Sequence, residues 1–161
     1  MATRIGKESD AVKMLCDLIE LDFDAAQAYQ AAIDRLVDGE SIVHLQSFRE
    51  DHLRHTRDLS EIVRDLEATP PTEGDIKAVL TKGKVVIAGL AGDVAILRAM
   101  KSNEDDTNSA YERAASRTDL PQGADAVLDR GLADERSHRE WIVARIEQLE
   151  AAEAAASQPG A

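Results

Sequence analysis

Apolar residues recur at alternating spacings of three and four through four long segments of the chain, which is typical of amphipathic helices. We predict four helices, at about residues 8–37, 41–68, 93–116 and 119–150. Helix-breaking residues mark the ends of these segments: Asp38 and Gly39 follow the first, and Pro70 and Pro71 follow the second. Pro121 lies early in the fourth segment, in the first turn, where helices accept proline. The pattern therefore predicts an all-α fold.

Residues 69–92 join the second and third predicted helices, and this connection is too long for a tight turn. Its apolar run at 85–88 is the only piece that the pattern leaves ambiguous between helix and strand. A crossover that carries a short extra helix fits this length. We expect a four-helix bundle over residues 1–150 and a flexible tail over residues 151–161.

Ionisable residues interrupt the inward apolar stripe of each predicted helix near its middle. They are Asp22, His52, His55, Glu104, Glu135 and His138. In a bundle, these three carboxylates and three imidazoles point at one another inside the core. Because an unpaired buried charge is costly and a divalent cation removes that cost, the pattern predicts a metal site. Mixed nitrogen and oxygen ligands suit Fe, Mn or Zn rather than Ca or Mg.

A metal-free arrangement is the main alternative for these six residues. Three protonated histidines paired with three carboxylates would form a buried ionic network. A single Asp or His on a stripe can also be an ordinary hydrogen-bonded core residue, but six such residues on four helices favour a common centre.

An internal repeat supports this geometry. Two motifs recur 82 or 83 residues later: Asp22-Phe23-Asp24 with Ala28-Tyr29 matches Glu104-Asp105-Asp106 with Ala110-Tyr111, and Asp51-His52-x-x-His55 matches Asp134-Glu135-x-x-His138. The first helical hairpin is therefore a copy of the second, and two facing hairpins would place their equivalent residues around a pseudo-two-fold axis.

An acidic residue followed by Tyr on one helix and Glu-x-x-His on the next, occurring twice, resembles the ferritin-like superfamily, which includes rubrerythrins and carboxylate di-iron proteins. The resemblance covers roughly residues 9–150 and is nearest to uncharacterised bacterial ferritin-like domain proteins. It implies an up-down-down-up bundle with one or two iron ions per chain. Asp22 and Glu104 would take the single-carboxylate positions, and Glu135 with His138 would take one Glu-x-x-His motif.

The second predicted helix departs from the family pattern. His52 stands where the family has a bridging Glu, and the neighbouring Glu50 and Asp51 point elsewhere on that helix. The change removes one negative charge and one bridge between two metals. A mononuclear site, an asymmetric dinuclear site and a zinc site are all compatible with it.

Two classes of function follow from these residues. The first is a ferritin-like iron-binding protein, for which Zn or Mn is a possible substitute, with ferroxidase, peroxide-reducing or other oxidoreductase activity. The alternative is a non-enzymatic, stress-related or structural bundle that holds a structural metal or none. A helical interaction module with a salt-bridge network is a third reading.

The chain is acidic, with a formal net charge of -12 over 161 residues, and this narrows its partners. Nucleic acid and anionic membranes would repel it, whereas metal cations would be attracted. We find no apolar stretch of membrane-spanning length and no secretion signal. Cys16 is the only cysteine, so an intrachain disulfide is impossible and a cytoplasmic location fits. A homodimer is a plausible assembly for such a bundle.

Five further residues lie close to the predicted centre in sequence. Tyr29 and Tyr111 are expected either to pack in the core or to hydrogen-bond a ligand. Gly131 marks either a close helix contact or room for an open coordination position. We expect His44 on the surface and Trp141 at a helix boundary.

Overall fold

The computed structural model describes residues 4–76, 87 and 89–157 of the chain, and the regular structure in this part is helical. The helices are α1 (Ala11–Ile33), α2 (Gly39–Asp65), α3 (Glu73–Ile76), α4 (Asp93–Ala115) and α5 (Ala124–Ala156). The four long helices form a bundle, and the described residues contain no strand. The predicted all-α four-helix bundle is confirmed.

The long helices follow an up-down-down-up order. Helices α1 and α2 form one antiparallel hairpin, and α4 and α5 form the other. Where α1 meets α4, Tyr29 contacts Glu104 while Asp22 contacts Tyr111, so these two helices run in opposite directions. Helices α2 and α5 are also antiparallel: Glu40, near the start of α2, contacts Arg145 in the later part of α5, whereas Asp58 contacts Arg130 near the start of α5.

Aspartate side chains cap the starts of α1 and α2. Asp10 accepts the Lys13 amide before α1, and Asp38 accepts the Ser41 amide before α2. The predicted start of the fourth helix near residue 119 is wrong. Gly123 has a left-handed φ of 84°, which a right-handed helix cannot include, so α5 begins only at Ala124.

The crossover carries the short helix α3, as predicted. Of the ambiguous apolar run at 85–88, only Ile87 belongs to the described residues, and its side chain is buried against the bundle core. At the other end of the chain, α5 continues to Ala156, and residues 151–157 are exposed.

Two apolar clusters fill the bundle, one toward each end. The first surrounds Tyr29, Phe48 and Met100, and the second surrounds Leu18, Leu59 and Leu128. The layer between them contains the buried polar residues described below. No helix in the described ranges combines the length and the apolar character that a membrane crossing requires.

Candidate metal centre

The structure brings all six predicted site residues together in the layer between the two apolar clusters. Each is at most 4% exposed. The six residues are Asp22 on α1, His52 and His55 on α2, Glu104 on α4, and Glu135 and His138 on α5. All four long helices therefore contribute, as the interrupted apolar stripes predicted.

The six side chains form two overlapping groups of four. The first group is Asp22, His52, His55 and Glu135, and the second is His52, Glu104, Glu135 and His138. Within each group, one nitrogen or oxygen atom per residue lies within 4.8 Å of the others. His52 and Glu135 belong to both groups, so the two groups are neighbours around the pseudo-two-fold axis.

Each side-chain polar atom of Asp22 and His55 has a hydrogen-bond partner. Asp22 Oδ1 lies 2.9 Å from His52 Nδ1 and 3.4 Å from His55 Nδ1. Asp22 Oδ2 accepts the Tyr111 hydroxyl at 2.7 Å. The remaining ring nitrogen of His55 lies 3.1 Å from an oxygen of Asp134. These two residues are thus held by neighbouring side chains.

In the second group, by contrast, buried polar atoms have no hydrogen-bond partner. They are His52 Nε2, Glu104 Oε2, His138 Nδ1 and both carboxylate oxygens of Glu135. His52 Nε2 lies 3.7 Å from Glu104 Oε1, and His138 Nδ1 lies 3.9 Å from Glu104 Oε2. Both separations exceed hydrogen-bond length. A buried polar atom without a partner is costly, so this cluster calls for a ligand.

The two tyrosines bond across the axis. Tyr29 on α1 donates to Glu104 Oε1 at 2.6 Å, and Tyr111 on α4 donates to Asp22 Oδ2 at 2.7 Å. Each hairpin therefore supplies the hydroxyl that holds the single carboxylate of the other. Core packing and a hydrogen bond to a ligand were the two roles expected for these tyrosines, and each tyrosine has both. The rings are buried in the core, and the hydroxyls donate to candidate ligands.

A charged network on the α2–α5 side holds the outer nitrogens of two histidines. Asp51 Oδ2 accepts from His138 Nε2, and Asp134 Oδ2 accepts from His55 Nε2, each at 3.1 Å. The Arg54 guanidinium lies between the two aspartates and donates to each at 2.6 Å. Such outer partners fix the ring orientation of a histidine ligand.

This network was not among the sequence predictions. Asp51 points away from His52 on α2, but in the bundle it reaches across to α5. The signal was present in the repeat, since an Asp precedes both the His-x-x-His and the Glu-x-x-His motif. Asn108 was also missed: its amide donates to the backbone oxygens of Glu104 and Glu135 at 2.9 Å and ties α4 to α5.

The buried charges shift one another's pKa values in the metal-free protein. Burial acts to raise the pKa of Asp22, but hydrogen bonds with His52 and His55 bring it below its usual value. Burial acts to lower the pKa of His55, but its hydrogen bond to Asp22 and the Glu135 carboxylate 3.5 Å away raise it to about 10. The charge of Glu135 likewise raises the pKa of His52 well above its ordinary value, against the effect of burial. Protons therefore compete with a cation for these imidazoles.

Gly131 allows the Tyr111 ring to approach α5. A Cβ atom at this position would collide with the ring, so the close-contact reading of this glycine is the one that applies. His44 and Trp141 are partly buried, and their rings are stacked with centroids 4.1 Å apart. His44 is thus at the surface, as expected, and the indole covers one face of its imidazole.

A family model described as "Domain of unknown function (DUF2383)" matches residues 10–117, about two thirds of the chain. The matched segment contains α1, α2 and α4, and with them Asp22, His52, His55 and Glu104. Helix α5, with Glu135 and His138, lies outside the match. No curated protein and no solved structure matches the chain.

Proposed function

The chain belongs to the DUF2383 family, and we propose that it is a metal-binding protein whose ligands lie at the centre of its four-helix bundle. The observation that carries this proposal is the cluster of unpartnered ligand atoms on His52, Glu104, Glu135 and His138. A cation between these residues would satisfy every one of them. The fold and the duplicated motif also support placing the chain in the ferritin-like superfamily.

The spacing of these atoms suits a small divalent cation. Ligands bound tetrahedrally at about 2.1 Å from a metal lie roughly 3.4 Å from one another. His52 and His138 approach the Glu104 oxygens to 3.7 and 3.9 Å, which is close to that value and too long for direct hydrogen bonds. Two carboxylates and two neutral imidazoles also balance the charge of one divalent ion in a buried site.

His52 supports one ion rather than two. A neutral imidazole has a single lone pair, because its other nitrogen carries the proton. The 2.9 Å contact with Asp22 makes Nδ1 the donor, and the unpartnered Nε2 then directs its lone pair toward Glu104. Asp22 and His55, whose atoms are already hydrogen-bonded, would hold His52 in place. Of the six predicted ligands, we propose four as direct ligands and two as their support.

Iron is the metal we propose, with Zn or Mn as substitutes, because the ligand set suits these ions and the ferritin-like resemblance favours iron. Bound Fe(II) would supply one-electron redox chemistry, so an oxidoreductase or ferroxidase-like activity is the finer proposal. Within this site, Tyr29 would hold Glu104 and Asp51 would hold His138.

A second candidate is a bundle without redox activity, in which the buried charges are structural. The raised pKa values of His52 and His55 favour it, because imidazolium rings beside Asp22 and Glu135 compensate one another without a metal. This candidate leaves Glu104 Oε2 and His138 Nδ1 without hydrogen-bond partners, which is why we rank it second.

Metal content after anaerobic loading with Fe(II), and separately with Zn(II), tests the proposal. We expect one ion per chain in the wild type, loss of that ion in His138→Ala, and retention in His44→Ala, which removes a histidine outside both groups. Helical content should be equal in all three proteins by circular dichroism. Two ions per chain would mean that the Asp22 group also binds metal. Absence of metal under both loadings would refute the proposal.

A further inference from the structure

The few aromatic residues of the chain are concentrated around the candidate centre. The sequence contains one Trp, two Tyr and two Phe. Four of these five rings, together with His44, contact one another or a candidate ligand: Tyr29, Phe48, Tyr111 and Trp141. The fifth ring, Phe23, packs against the second apolar cluster.

Three of the rings form a continuous column that ends on His138. Phe48 stacks on the His138 imidazole, with centroids 4.2 Å apart and planes 28° from parallel. Trp141 contacts Phe48 edge to face, with ring centroids 5.7 Å apart. Trp141 is only partly buried, and His44 stacks on it at 4.1 Å and 15°. The column therefore connects the protein surface to a proposed metal ligand.

The internal repeat shows that packing alone does not require this column. The repeat equivalent of Phe48 is Gly131, and that of Trp141 is Asp58, so the other half of the bundle has no column. There, the Tyr111 ring packs against His55 and completes the core. The two halves share the tyrosine and the outer histidine of the repeat but differ at the positions of Phe48 and Trp141, which points to a role of these two rings on the His138 side only.

We propose that Trp141 is a one-electron relay that connects the metal centre to the surface through Phe48 and His138. This inference rests on the function proposed above. Reduction of hydrogen peroxide to two waters breaks the O–O bond and takes up two electrons and two protons. Oxidation of one Fe(II) to Fe(III) supplies only one electron. The second comes from the Trp141 indole, which becomes a radical cation and releases its Nε1 proton to solvent. Two equivalents of an external one-electron donor, such as a thiolate, would then reduce Fe(III) to Fe(II) and the indole radical to the indole, which takes back a proton from solvent, and the two oxidised thiols combine as a disulfide.

Tyr29 is nearer to the centre but is less suited to this role. Its side chain is fully buried, so it has no contact with an external electron donor. Its hydroxyl is bonded to Glu104 at 2.6 Å, and its oxidation would transfer the phenolic proton to a carboxylate that the metal needs. Trp141 is partly exposed, so it needs no such buried proton acceptor.

Rapid-freeze electron paramagnetic resonance tests the relay. The full chain is loaded with Fe(II) without oxygen, mixed with hydrogen peroxide and frozen, and its iron content is measured in the same sample. We expect a radical whose hyperfine splitting narrows when the protein contains ring-deuterated tryptophan. Trp141→Phe should abolish this radical, and Phe48→Leu should lower its yield several-fold. Phe23→Leu, which changes an aromatic ring outside the column, should leave it unchanged.

The iron content separates failure of the relay from failure of the site. Iron-loaded wild type without a tryptophan radical would overturn the relay and leave the metal site intact. A radical that responds to deuterated tyrosine instead, or one that survives in Trp141→Phe, would also overturn it. A wild type without iron would overturn the proposed function and the relay together.

Discussion

At the scale of single residues, the two tyrosines distinguish the two ligand groups experimentally. Each makes one hydrogen bond to one buried carboxylate, Tyr29 to Glu104 and Tyr111 to Asp22. Under our proposal, Glu104 binds the ion directly, whereas Asp22 only supports His52. Removal of either hydroxyl costs the protein a hydrogen bond to a charged group, but only one of the two bonds belongs to a direct ligand.

We therefore expect Tyr29→Phe to weaken metal binding about tenfold or more, as the loss of partners behind a ligand commonly does. Tyr111→Phe should weaken binding less. Both variants should lower the free energy of unfolding of the metal-free protein by about 1.5–3 kcal/mol, the usual value for a hydrogen bond to a charged group. Competition with a chromophoric chelator gives the affinities, and urea denaturation gives the stabilities. A larger effect of Tyr111→Phe on affinity would move the ion to the Asp22 group.

The sequence was sufficient to predict which residues meet at the centre but not how each one is used. Periodicity on a single helix predicts which positions face inward, and this was correct for all six site residues. It does not predict what a residue meets on another helix. Asp51 looked misdirected on α2 alone, yet it contacts His138 on α5. The direction of each His52 nitrogen likewise depends on Asp22 and Glu104, which belong to two other helices.

At the scale of helices, the duplicated hairpins differ in how they fill the same position. Phe48 on α2 and Gly131 on α5 are repeat equivalents. The first presents a ring to the core, and the second leaves room for the ring of Tyr111. At the present distance between α4 and α5, position 131 therefore accepts only glycine. Any larger residue would push the Tyr111 ring away from Asp22.

Gly131→Ala tests this contact. Alanine is normally the better helix former, but here its Cβ would displace the Tyr111 ring, and overpacking of this kind costs about 1–3 kcal/mol. We expect a lower free energy of unfolding in urea denaturation. Gly39→Ala is the control, because this glycine has open space around it and, as the first residue of α2, should change the free energy of unfolding little. Equal effects of the two substitutions would show that the Tyr111 contact has no importance for stability.

The hydrophobic pattern predicted the number and order of the long helices but not their ends. The inward stripe of α1 alone does not reveal a stop at Ile33, and the loop that follows is held by Asp93 of α4, whose carboxylate accepts the amides of Val37 and Asp38. This contact joins residues far apart in sequence. Local periodicity cannot predict helix ends that depend on such tertiary contacts.

At the scale of the whole molecule, the buried centre links stability to pH. The metal-free bundle buries three carboxylates, and protonated imidazoles compensate them. A bound cation would take over that compensation, since metal ligands must be deprotonated. The metal-free and metal-loaded proteins should therefore respond to alkaline pH in different ways.

We expect the metal-free protein to lose stability as the pH rises from about 7 to about 10. The pKa of His55 is about 10 in the folded protein, against about 6.5 in an unfolded chain. Between these two pH values the folded state binds more protons than the unfolded state, so the free energy of unfolding falls as the pH rises. The contribution of His55 to stability is complete only below about pH 6.5.

Urea denaturation across this pH range, with chelator present, measures the slope of the free energy of unfolding against pH. His55→Gln removes this proton and should flatten the slope, and metal loading of the wild type should flatten it too. If the stability of the metal-free protein is constant or rises over this pH range, the buried imidazoles are not protonated. The inference that protons compete with metal for these imidazoles would then be wrong.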